Sequence, residues 1–77
     1  ERIGHRIKKL RNSVKISQVE LARRLSVTQS SISRYESCTG EPDAAFFTSL
    51  SKEFPELNVN WLLTGEGPMY QELVSYD

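Results

Sequence analysis

Cysteine is nearly absent from this chain: Cys38 is the one thiol in 77 residues. No intrachain disulfide can form, and a reducing, cytoplasmic setting is expected. Histidine is as scarce, with His5 alone; with no Cys or His near it no metal site is expected, and its place on a different helix from the Ser-rich "QSSIS" argues against a Ser–His catalytic pair. There is no Gly-x-Ser-x-Gly elbow either. Apolar runs extend over only a few residues, too short to cross a membrane. Nothing at the start reads as a secretory leader; the first residue is Glu1 rather than methionine, so further sequence beyond the chain is expected. Strand-like alternation, internal repeats and low-complexity stretches are all missing. What remains is a small domain, 38% hydrophobic, near the lower size limit for folding without a staple. No cofactor, metal or catalytic role is expected of it.

Net charge is also absent, but only in the sum. Residues 1–35 hold nine Lys or Arg against two acids, and residues 36–77 hold one Lys against eight acids. The halves thus stand at +7 and −7. A basic end facing a polyanion is one reading, and two solvated faces the other.

Helical spacing runs through the chain. Ile3, Ile7, Leu10 and Val14 make one apolar stripe of a helix over roughly 2 to 12, with Arg6, Lys8, Lys9 and Arg11 on its other sides. Ser17 followed by Glu20 is a capping box, which starts a second helix at Gln18 with Leu21, Ala22 and Leu25 buried. Thr28 can cap a third helix, from Gln29 to about Ser37. Asp43 can cap a fourth, with Phe47, Leu50 and Phe54 inward and Pro55 at its end. Asn58 can cap a short fifth, "VNWLLT", stopped by Gly65. The aromatic residues Tyr35, Phe46, Phe47, Phe54 and Trp61 are expected in the core. Five short helices and no strands predict an all-α, compact five-helix bundle. The folded unit is expected over 1–66. Residues 67–77 form a tail or the start of a linker, with Met69, Tyr70, Leu73, Val74 and Tyr76 as its apolar groups.

The second and third helices, joined by the three residues "SVT", have the dimensions of a helix-turn-helix. In "SVTQSSISRYE", Val27, Ile32 and Tyr35 lie toward the core. Gln29, Ser30, Ser33 and Arg34 lie on the other side of the third helix. Short hydroxyls, an amide and one guanidinium make a poor core but a good hydrogen-bonding surface. Gln can pair with adenine N6 and N7, Arg with guanine O6 and N7, and Ser with either. Such a helix enters the major groove, its first turns reaching base edges.

At these residues the chain resembles a known family. "SQVELARRLSVTQSSISRYE" is similar to the helix-turn-helix of the lambda-type phage repressor and Cro proteins and their bacterial relatives. The resemblance extends from about Ile3 to Gly65 and includes Arg11, the "SQxELA" start and the "NVNWLLTGEG" close. It implies that Gln29, Ser30 and Arg34 face bases, with Ser33 a further contact. It implies that Gln18 bonds a phosphate and braces Gln29, and that Thr28, Ser31 and the Gly40 amide meet the backbone. Arg11 and Glu36 match a buried ion pair between the first and third helices. Two departures follow from the same comparison. Lys15 stands where relatives have glycine, which puts a side chain in a left-handed turn at about 1–2 kcal/mol. Glu41 and Asp43 stand in a loop that is usually basic.

The resemblance and the helix-3 face together predict sequence-specific double-stranded DNA binding, by a repressor of bacterial or phage origin. A homodimer on a palindromic operator is the expected assembly. The alternative is a helix-turn-helix module that binds a protein, such as a toxin or another regulator, which the zero net charge and the acidic loop favour. Protein interfaces concentrate Tyr, Trp and Met at their centres, and the helix-3 face has none of these.

Overall fold

The computed structural model describes residues 1–71. They form α1 (Ile3–Ser13), α2 (Gln18–Leu25), α3 (Gln29–Glu36), α4 (Ala44–Glu53) and α5 (Val59–Thr64). Four of the five helices begin on a side-chain cap. Ser17, Thr28, Asp43 and Asn58 accept from the N–H of Glu20, Ser31, Phe46 and Trp61 at 3.1, 3.1, 2.9 and 3.4 Å. Each cap satisfies one of the N–H groups that a helix start leaves without a partner. The capping box at α2 is only half formed. Ser17 accepts as expected, but the Glu20 carboxylate turns forward to the guanidinium groups of Arg23 and Arg24. Two charged donors outweigh one backbone N–H.

The core is a single cluster of Ile7, Leu10, Leu21, Ala22, Leu25, Ile32, Phe46, Leu50, Leu57, Trp61 and Leu62. In α4 Phe46 and Leu50 are buried, as core residues, while Phe47 and Phe54, expected to line the inward stripe, are only partly so and pack against the core's edge. Both phenylalanines fit a helical stripe through Leu50. The choice falls to Phe46 because its ring packs edge-on against Tyr35 of α3, centroids 4.9 Å apart.

Where α1 crosses α3 the backbones nearly touch. A Cβ on Gly4 would lie 2.0 Å from the Tyr35 carbonyl oxygen, so no larger residue fits there without moving a helix. Arg6 also departs from expectation. Instead of lining a basic face it is 6% exposed. Its Nε donates to the Leu62 carbonyl at 2.7 Å, and its Nη2 and Nη1 donate to those of Leu63 and Glu1 at 3.3 and 3.0 Å. A cation thereby closes the C-terminal end of α5, where unpaired carbonyls and the helix dipole favour one. The last described residues fold back on the α4–α5 connection. Asn58 N–H donates to Met69 O at 2.9 Å and Gln71 N–H to Glu56 O at 2.8 Å. Met69 packs on the core, and the Tyr70 hydroxyl bonds Ser13 at the end of α1. Leu73, Val74 and Tyr76 lie outside the described residues.

Candidate nucleic-acid interface

The α2–α3 unit is set by its turn. Ser26 takes a left-handed conformation (φ 57°), ending α2, and Val27 returns its N–H to the Ala22 carbonyl at 3.0 Å. Thr28 then caps α3. Its hydroxyl also meets that of Ser31 at 2.9 Å, so these two tie each other at the first turn. Ile32 is fully buried below, with Tyr35 half-buried beside it and Glu36 buried at the end.

This orientation leaves Thr28, Gln29, Ser30 and Arg34 exposed on one side of α3, while Ser31 and Ser33 are half-buried. Gly40 is half-buried in the following loop, against Arg34 and Tyr35. No carboxylate reaches Arg34 within ion-pair distance among the described residues. The helix presents a guanidinium, an amide and hydroxyls outward, with no apolar residue among them.

Below that surface lies a hydrogen-bonded chain. Arg11 grips Glu36 with both Nε and Nη2, at 2.7 and 2.9 Å, and sends Nη1 to the Ile16 carbonyl at 3.0 Å. The pair is almost fully enclosed, Arg11 12% and Glu36 4% exposed at their side chains. The hydrogen bond to Glu36 holds the Arg11 pKa above its ordinary value. Gln18 donates to Glu36 at 3.1 Å and accepts from Gln29 at 2.8 Å. Gln18 and Gln29, far apart in sequence, are thus brought together at the junction of α2 and α3. Every buried side-chain polar atom among the described residues has a partner, as an enclosed charge requires.

The basic half is less basic than its composition. Arg6 and Arg11 are consumed inside the fold. Lys9 pairs with Glu1 at 2.6 Å, while Arg23 and Arg24 share Glu20, which they pull down to a pKa of about 2. Arg2, Lys8, Lys15 and Arg34 have no carboxylate partner among the described residues. Lys15 does occupy a left-handed position, φ 58°, two residues after α1 ends. The sequence reading overlooked Arg6 and the Gln18–Glu36 bond. Arg6 sits four residues before Leu10, on the edge of the apolar stripe, and that spacing is the signal that could have placed it inward.

A helix-turn-helix family model matches residues 7–62. Among solved structures, the P22 c2 repressor in complex with its synthetic operator 9T is similar, with 30% identity and a TM-score of 0.77. The match covers 86% of this chain and 98% of that one. No curated protein matches. The chain belongs to the helix-turn-helix family of the lambda-type phage repressors.

Proposed function

We propose that this chain is a sequence-specific, double-stranded DNA-binding domain of a transcriptional repressor. Its family is one of DNA-binding transcription regulators. The observation that supports the finer reading best is the outward face of α3, where Gln29, Ser30 and Arg34 stand exposed on a helix start tied to the core through Gln18 and Glu36. Gln29 and Arg34 supply the two bidentate base contacts, to adenine and guanine, and Ser30 and Ser33 supply adaptable hydroxyls. Thr28, Ser31, Gln18 and the Gly40 amide hold the sugar–phosphate backbone and set the register. One domain of this size covers a single half-site, so a homodimer on a palindrome, half-sites about 34 Å apart, provides the specificity.

Selection of bound duplexes from a random pool tests this directly. The expected product is an inverted repeat with one helical turn between half-site centres. The rival reading, a protein-binding module, draws on the acidic loop with Glu41 and Asp43. A pool that emerges without enrichment would replace the DNA reading with that one.

A further inference from the structure

Glu36 has a partner beyond its ion pair. Its Oε2 takes a hydrogen bond from Arg11 Nε, and its Oε1 takes one from Arg11 Nη2 and another from Gln18 Nε2 at 3.1 Å. A carboxylate held by a guanidinium can only accept. Gln18 therefore has to turn its NH2 group toward Glu36 and its carbonyl toward α3. That carbonyl accepts from Gln29 Nε2 at 2.8 Å, so Gln29 has to turn its own NH2 group inward too. One buried charge sets the direction of two amides in series.

We infer that Glu36, acting through Gln18, is a positioning residue that restricts Gln29 to the hydrogen-bonding pattern of adenine and against that of guanine. The inference rests on the proposal that α3 reads bases. A glutamine amide without a tether can rotate by half a turn and exchange its donor and acceptor ends. Its two N–H bonds together suit guanine, whose N7 and O6 are both acceptors; one N–H with the carbonyl suits adenine, with N7 and the N6 amino group. Gln29 has given one N–H to Gln18. It is left with one N–H and its carbonyl oxygen, the adenine set, and guanine would bring O6 against that oxygen. Gln29 is exposed, so no enclosing pocket imposes the choice; the tether does. Arg34 makes no hydrogen bond with this chain of side chains, and its selectivity is independent of it.

Gln18 is the link to cut, because the ion pair survives its replacement. Gln18→Met keeps the length and removes both bonds together with the proposed phosphate contact, whose loss weakens all sequences alike. Gln18→Lys keeps a donor for Glu36 and removes only the acceptor that Gln29 needs. In both variants the preference for adenine over guanine in the Gln29 column of the selected operator should fall about tenfold. The Arg34 column and the half-site spacing should stay as they are, with Gln18→Lys also binding all sequences more tightly through its added charge. In the DNA-free protein, the two side-chain amide protons of Gln29 should exchange with water at different rates in the parent chain and at similar rates in either variant. An unchanged adenine column in variants that still bind duplex, or equal exchange in the parent, overturns the inference alone. A parent chain that selects no duplex overturns the base-reading proposal beneath it.

Discussion

Arg34 and Arg11 are both arginines of the basic half, yet the fold gives them opposite uses. Arg34 is exposed and without a carboxylate, whereas Arg11 is enclosed against Glu36. Removing Arg34 or Gln29 should leave the fold's melting temperature nearly unchanged. Each should flatten a different column of the binding profile, at a cost of about 1–3 kcal/mol on the preferred site. Arg11→Ala should do the reverse. It strands the Glu36 carboxylate, and loss of one partner of a buried pair costs about 3–5 kcal/mol. The Gln18 bond to Glu36 persists in that variant, so the profile keeps its shape while the protein melts early. Thermal denaturation alongside duplex selection separates the two cases. If Arg34→Ala kept its preference at every base, α3 would not be the reader.

Helix ends show how much of the fold was legible in the sequence. Ser17, Thr28, Asp43 and Asn58 announced four helix starts, because an N-cap is a local bond between a side chain and an N–H close by. For Arg6 the spacing to Leu10 hinted at an inward position, but its use was not legible, since the Leu62 and Leu63 carbonyls it caps lie on α5, more than fifty residues away. Nor was Phe46 over Phe47, which the Tyr35 ring decides across the core. The helix-3 face was readable from spacing alone, whereas the link from Glu36 to Gln18 needed two helices brought together. At the C-terminal ends, Lys15, Ser26 and Cys38 all adopt positive φ, at 58, 57 and 63°. A side chain there costs about 1–2 kcal/mol relative to glycine, offset in part by the greater freedom of an unfolded glycine. Ser26→Gly should therefore raise stability by about 1 kcal/mol in urea titration, and a loss would show that the Ser26 side chain stabilises the turn. Glu20 supplies an acid-sensitive element at α2. Hydrogen bonds from Arg23 and Arg24 hold its pKa at about 2, below the usual glutamate value of about 4.3. Its contribution is present above that usual value and is lost as pH falls through about 2. A Glu20→Gln variant should melt below the parent at neutral pH and converge with it near pH 2; parallel curves across that range would remove Glu20 from the account.

At the scale of the molecule, the opposed charges of the two halves tell less than their pairing does. A count of +7 over residues 1–35 suggests a strongly cationic surface. Inside the fold, Arg6 faces carbonyls, Arg11 faces Glu36, and Glu20 answers both Arg23 and Arg24. Glu1 answers Lys9, leaving Arg2, Lys8 and Lys15 to meet phosphate without first breaking an ion pair, while Arg34 is free to face a base. The loop after α3 adds Glu41 and Asp43 rather than cations. Each phosphate neutralised contributes about −0.9 to the slope of log affinity against log salt. If those three cations made all the charged phosphate contacts, the slope would be about −3 per domain, or about −5 for a dimer on a full site. Specificity must then come mainly from the base contacts of α3, and base preference should survive at salt concentrations that abolish binding by more cationic relatives. Lys15→Gly separates the terms within one variant. It relieves the left-handed turn, so the domain should become more stable, and it deletes one cation, so affinity should drop alike for every sequence and the slope should shrink by about 0.9 per domain. Fluorescence titrations of one half-site over a range of salt would read the affinity and its slope, and urea denaturation the stability. A slope unchanged by the substitution would place Lys15 away from the phosphates, and a selective loss at one base pair would make it a reader instead.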